Sequence, residues 1–286
     1  MSALNDEFNG ALGLTLKIFR NSYARKFFFQ LVSSQLDIDR LDYLNRDCFF
    51  SGVQEGTIGV DRIILMLHVH EDQLVVEEKG IYSIENFLNA RRLMYWEVYL
   101  HKTTVCAERM LVNLIRRAQA LTRAGENIAA STSLKVFLEN SFALENLKND
   151  KNVLHAFGRL DDHDIWGAIK LWRHHDDRIL SLLSGLLLDR KLFQIILSHE
   201  PIKKSVIENI RTSITHKYQT LRAEASYLYS HGTVTNEAYT EGEKINILTR
   251  SGTLLDIAQA SDLPNIKALS KIVKKNYLCW PKDVSL

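Results

Sequence analysis

The chain has 286 residues, 46% of them apolar and 24% charged, with a formal net charge of +2. That balance suits a globular chain of one large or two ordinary domains and excludes a disordered polymer, a collagen-like fibre and a coiled-coil rod. Near-neutrality gives no electrostatic case for a nucleic-acid partner.

Three prolines are present, and none precedes Pro201, so nothing forbids long helices over most of the chain. Cys48, Cys106 and Cys279 lack any CxxC spacing and read as reduced thiols. Asp6 and Glu7 interrupt the first residues before any apolar core of signal-peptide length, and Ile179 to Leu188 is about half a membrane span. The expectation is a cytoplasmic protein with no membrane partner.

Residues 1–30 suggest a helix broken in the middle, with Leu14, Ile18 and Phe19 on one face and Phe27 to Phe29 following. Ser34 fits an N-cap and Asp37 its capping box, for a helix to about Phe49. After a polar turn (Ser51 to Gly59) comes an amphipathic segment, Val60 to Leu67. His68 to Tyr82 alternates around a polar tip at Glu71-Asp72, the pattern of a short hairpin. Ser83 can cap a long helix through Ala120, with Glu85 in its positive first turn. A polar loop (Arg123 to Ser133), a helix rich in Leu and Phe, and two helices over Asp161 to Leu197 follow. Past Pro201, glycines and β-branched residues over Tyr227 to Leu255 predict a small sheet, and Asp262 can cap a last helix ending near Tyr277. The expected domains are 1–200, mainly helical with the hairpin, and 201–286, a small α+β region.

The stretch Ser33-Ser34-Gln35-Leu36-Asp37-Ile38-Asp39-Arg40-Leu41-Asp42-Tyr43-Leu44-Asn45-Arg46-Asp47 is the most informative. On a helix, Ile38, Leu41, Leu44 and Cys48 gather on one side, and Asp39, Tyr43, Arg46 and Asp47 on the other. Taken by itself the second side is a solvated acidic face with an Asp42–Arg46 ion pair. In a second stretch, Gly80 to Lys102, Arg91, Tyr95 and Tyr99 recur every fourth residue, with Lys102 one turn on. By itself a tyrosine stripe is more often core packing. Guanidinium and ammonium groups, however, suit phosphate oxygens, and tyrosines suit a sugar and base.

The first stretch resembles the last metal-ligand helix of HD-domain phosphohydrolases, in the deoxynucleoside triphosphate triphosphohydrolase (dGTPase-like) branch. The second stretch, the Gly232–Tyr239 segment GTVTNEAY and the Lys275–Lys282 ending KNYLCWPK look like those of bacterial members. The resemblance implies a partial HD-type helical bundle that hydrolyses deoxynucleoside triphosphates to deoxynucleoside and tripolyphosphate. It implies a divalent metal (Mg, Mn, Fe or Zn) in the complete protein, and a homo-oligomer, dimer or tetramer. Four ligands, a His, a His-Asp doublet and a distant Asp, hold the metal in that family, and the distant Asp falls on Asp39. Arg40 falls on a triphosphate contact and Arg91 on a phosphate-binding arginine. Tyr43 and Asp47 fall on the sugar side, Asp47 where it would accept from the 3′-hydroxyl. Tyr99 matches a tyrosine that crowds a 2′-hydroxyl. His101 and Lys102 match a phosphate or allosteric contact. Tyr95 departs from the histidine of the eukaryotic branch.

Only 38 residues precede Asp39, and none is histidine. The expectation is therefore the C-terminal part of a longer protein, inactive alone, with no metal tightly bound and the apolar face of the Asp39 helix unpartnered. Asp161-Asp162, just before the His163-Asp164 pair, read as a helix N-terminus and the run His174-His175-Asp176-Asp177 as a solvated helical turn, and His68 with His70 are too few ligands for a closed site. Lys267, Lys271, Lys274 and Lys275 read as a solvated helix face. The alternative is a non-catalytic nucleotide-binding or interaction module that keeps only the triphosphate contacts.

Overall fold

The computed structural model describes residues 2–236, 244–263 and 273–285. It is mainly α-helical with two small sheets. The chain divides into two compact units, Met1–His101 with Thr235–Lys274, and Lys102–Val234 with Lys275–Leu286.

In the first unit, helices α1 (Ser2–Glu7), α2 (Gly13–Phe19), α3 (Lys26–Val32) and α4 (Ile38–Ser51) lead to α5 (Val60–Met66). The expected broken helix over 1–30 is thus three short ones, with Leu14 and Phe19 exposed. The hairpin is β1 (Leu67–His70) and β2 (Gln73–Glu77), paired antiparallel from Leu67↔Val76 to His70↔Gln73. Its tip is Glu71-Asp72, both at positive φ (49° and 60°). Left-handed backbone at both central residues gives the twist a two-residue hairpin needs. Helix α6 (Ile81–Met94) starts two residues before Ser83, which is inside it and caps nothing. The predicted single helix through Ala120 also breaks. A π-helical turn, Tyr95–Tyr99, follows α6, closed by Leu100 N–H donating to the Tyr95 carbonyl at 2.6 Å.

Far along the sequence, β5 (Asn246–Leu248) joins β2 in parallel, with Val76 opposite Ile247, and β6 (Leu254–Asp256) extends the sheet to the order β1-β2-β5-β6. Short helix α14 (Ile257–Ala260) follows. Leu41, Leu44, Ile63, Ile84, Phe87 and Ile247 lie in one buried core. The apolar side of α4 is therefore largely covered within this unit, apart from Ile38, which is 61% exposed.

In the second unit, α7 (Lys102–Arg123) is the long central helix. It packs on α8 (Thr132–Glu139), on α12 (Arg178–Leu188) and on β3 (Gln194–Ser198). Between α8 and α12 run α9 (Leu144–Asn149), α10 (Lys151–Gly158) and α11 (Asp162–Trp172). Asp161 caps α11 and shares a capping box with Asp164, so the first His-Asp pair is a helix start. The His174–Asp177 run is not a turn of helix but the link from α11 to α12. Strand β3 replaces the end of the expected second helix. After α13 (Lys204–Tyr218), β4 (Ser230–Asn236) and β7 (Val273–Trp280) complete a sheet of order β3-β7-β4.

The last predicted helix is partly outside the described residues, as are Lys267, Lys271 and the end of the GTVTNEAY segment. Where that helix was to end, Lys274, Lys275 and Tyr277 are on strand β7 instead, because pairing with β3 overrides the local pattern. The change of sequence texture near residue 200 likewise does not mark where the units part. Strand partners distant in sequence decide that.

Asp177 holds the second unit together locally. Its Oδ1 caps α12 by accepting from Leu180 N–H at 2.8 Å, and its carboxylate pairs with Arg117, which also reaches Glu224 at 3.2 Å. Burial pushes the Asp177 carboxyl up, but the hydrogen bonds from Arg117 and Leu180 and the charge of Arg117 outweigh it, for a net lowering. A carboxyl depressed in the folded state adds stability above its unfolded pKa and loses it as pH falls through the folded one. Urea unfolding should therefore show stability declining below about pH 4. Asp177→Ala should cost about 2–3 kcal/mol at pH 7 and flatten that decline.

Candidate functional site

The site is built on α4, α6 and the π turn of the first unit. Helix α4 starts one residue past Asp37, which is its N-cap, so the expected roles of Ser34 and Asp37 are reversed. Asp37 Oδ1 accepts from Arg40 N–H at 2.7 Å and Oδ2 from Ser34 N–H at 3.1 Å, while Ser34 Oγ accepts from Leu36 N–H. The Arg40 guanidinium closes back onto the Asp37 carboxylate and the Ser34 carbonyl. Asp37 is only 3% exposed, so this carboxylate is spent on structure.

From that start, Asp39, Tyr43 and Asp47 recur every fourth residue along α4 and share one stripe. Asp42 and Arg46 form the expected exposed ion pair, at 2.9 Å. Asp47 Oδ2 accepts from the Tyr99 phenol at 2.6 Å. The Tyr99 ring meets Tyr43 and Tyr95 edge-on, with centroids 6.2 and 5.2 Å away. Burial first, and then the hydrogen bond to Asp47 and its charge, push the Tyr99 phenol far up, so it stays a donor. Burial also raises Tyr43, opposed by the positive charges of Arg91 and Arg40. Arg91 on α6 is 6% exposed, and its Nη1 donates to Gln35 Oε1 at 2.7 Å.

Of the residues singled out in the sequence, Arg40, Tyr43, Asp47, Arg91, Tyr95 and Tyr99 thus come together. Tyr43 feels the charges of Arg91 and Arg40, and Tyr99 joins Tyr43, Tyr95 and the Asp47 carboxylate, an arrangement suited to an anion carrying a hydroxylated group. Asp39 lies on the same stripe of α4 and is exposed. It makes no hydrogen bond or ion pair with a described residue. His101 is half-buried just past the π turn. Lys102 opens α7 in the second unit, so the stripe of α6 does not continue to it. There Lys102 lines a cavity of about 370 Å³ with Arg190, Lys282, Thr103, Cys106 and Phe193 among others, and no carboxylate lines it. Gln35 and Asp37, which hold the two arginines, were not singled out as site residues. Their signal was being polar directly before an amphipathic helix.

Among the described residues, no three His, Cys, Asp or Glu side chains are grouped so as to hold a metal ion. Asp39 offers one donor, and the residues present do not by themselves make the four-ligand centre that the resemblance implies. No helix among the described residues is long and apolar enough to cross a membrane.

Residues 58–137 match the family model described as an HD associated region. The fold is similar to the crystal structure of a phosphohydrolase (BT4208) from Bacteroides thetaiotaomicron, with a TM-score of 0.93 and 46% identity, covering 98% of this chain and 70% of that one. The uncharacterised Bacillus subtilis (strain 168) protein YwfO is 27% identical over 277 residues, 94% of this chain and 60% of that protein. A Dictyostelium discoideum homolog of the deoxynucleoside triphosphate triphosphohydrolase SAMHD1 is 24% identical over 107 residues, 36% of this chain and 21% of that protein. The chain thus spans about three-fifths of the length of its Bacillus relative. With the phosphohydrolase matched along nearly the whole chain and the associated region matched within it, this chain belongs to the HD-type phosphohydrolase family.

Proposed function

We propose that these residues form the substrate-binding part of a phosphohydrolase that converts deoxynucleoside triphosphates to deoxynucleoside and tripolyphosphate. The observation that carries this reading is the convergence of Arg40 and Arg91 with Tyr43, Tyr95 and the Tyr99–Asp47 pair. In the reaction, water oxygen bonds to the α-phosphorus, the bond from phosphorus to O5′ breaks, and a proton ends on O5′. Arg91 holds the phosphate charge as it redistributes, and Arg40, its charge largely matched by Asp37, contributes less. Asp47 gives Oδ2 to Tyr99, which leaves Oδ1 to accept the 3′-hydroxyl. The Tyr99 ring, braced against Tyr43 and Tyr95, crowds the place of a 2′-hydroxyl. In this reading Asp39 is one of four donors to a divalent metal, and the others come from the stretch by which the relatives exceed this chain. His101, just past the π turn, contacts phosphate.

A second reading, a nucleotide-binding module without turnover, is favoured by the cavity at Lys102, where three cations meet with no carboxylate. The exposed Phe49, Phe50 and Leu65 fit burial against further protein, including the homo-oligomer of the first reading.

The 286-residue chain mixed with each deoxynucleoside triphosphate and Mn²⁺ should release no tripolyphosphate, and calorimetry should detect binding; binding that persists undiminished in EDTA without any release favours the second reading. Robust release from this chain alone would show the metal argument wrong. Arg91→Ala should weaken that binding about ten-fold or more. Tyr99→Phe should cost about 1 kcal/mol in urea unfolding through the lost bond to Asp47. Tyr99→Ala should narrow the preference for deoxy- over ribonucleotide, and an unchanged preference would remove Tyr99 from sugar selection.

A further inference from the structure

The two arginines of the cluster are held in opposite ways. Arg40 is bound by the Asp37 carboxylate, so its charge is largely matched within the protein. Arg91 is almost fully buried, yet the side chain that holds it is the neutral amide of Gln35, itself 4% exposed, and its Nε has no partner. Among the described residues no carboxylate pairs with Arg91. A buried guanidinium ordinarily sits against a carboxylate, because desolvation without a counter-charge is expensive. Here the 2.7 Å hydrogen bond fixes the planar fork of Arg91 without cancelling its charge.

We infer that Gln35 is a positioning residue for Arg91, aiming the guanidinium while keeping its charge available to an incoming phosphate chain. The inference rests on the reading of this cluster as a phosphate site. Tyr43 reports on it independently. The charged and titratable groups that face its phenol are Arg91 on α6, Tyr95 and Tyr99 on the π turn, and Arg40 and Asp37 at the start of α4. The positive charge of Arg91 opposes the rise that burial causes in Tyr43. A carboxylate at position 35 would cancel that charge with almost no change of shape.

The test uses the full chain with ¹³Cζ-labelled tyrosine, the Tyr43 signal being identified by its absence in Tyr43→Phe. Inorganic tripolyphosphate is the ligand, and the variants are Gln35→Glu and Gln35→Met. At pH 8, Gln35→Glu should bind tripolyphosphate at least about ten-fold more weakly than the natural chain. Gln35→Met, which removes the aim but not the charge, should bind about three-fold more weakly. Without ligand, Gln35→Glu should raise the Tyr43 titration midpoint by about half a pH unit or more, and Gln35→Met should leave it in place. Natural affinity in Gln35→Glu overturns the inference and leaves the phosphate site standing. If the natural chain ignores tripolyphosphate, the phosphate-site reading fails, and an unmoved Tyr43 midpoint in Gln35→Glu then overturns the role of Gln35 as well. Should Gln35→Glu not fold, natural affinity in Gln35→Met overturns it.

Discussion

The buried carboxylate of Asp37 sets the geometry on which the rest of the site depends. By accepting the N–H groups of Ser34 and Arg40 it stops the preceding turn and starts α4 at Ile38. Starting there fixes the helical phase at which Asp39, Tyr43 and Asp47 fall on one stripe while Leu41 and Leu44 go to the core. The same carboxylate takes the Arg40 guanidinium. A single polar group thus performs capping, phasing and charge-matching, and its near-complete burial follows from having every partner supplied locally.

The second constraint is the π turn. A uniform α-helix from Ile81 onward would carry Arg91, Tyr95, Tyr99 and Lys102 along one drifting line. The wider turn at Tyr95–Tyr99 closes its hydrogen bond over five residues and ends the helix at Leu100. Tyr99 is then placed to donate to Asp47 on α4. Insertions of this kind recur where side chains must be re-aimed at a site. Here the re-aimed side chain joins the two helices that carry the cluster.

The electrostatics of the cluster follow from how each charge is housed. Arg40 is matched by Asp37, Asp47 is engaged by a phenol that burial keeps protonated, and Arg91 meets a neutral amide. The remaining positive charge is directed inward among tyrosines, where the low dielectric strengthens its hold on an anion. Membership of the HD-type phosphohydrolases agrees with such a site.

Much of this was legible from local pattern. The amphipathic period of α4, the Asp42–Arg46 pair, the hairpin tip at Glu71-Asp72 and the cap at Asp161 each depend on residues within four positions of one another, and local sterics and hydrogen bonds decide them. So the sequence by itself determined a mainly helical chain, while the residues of α4 and α6 that meet were marked only through the resemblance to HD-domain phosphohydrolases, pattern alone reading them as a solvated face and core packing. It did not determine that Ser34 and Asp37 exchange roles, that a π turn parts α6 from α7, or that Arg91 is held by Gln35 across 56 positions. Nor did it place Ile247 beside Val76, or turn the expected last helix into a strand against β3. Those outcomes were decided by tertiary structure, because strand pairing and buried hydrogen bonds between distant segments outweigh the few tenths of a kcal/mol by which local propensity prefers one conformation.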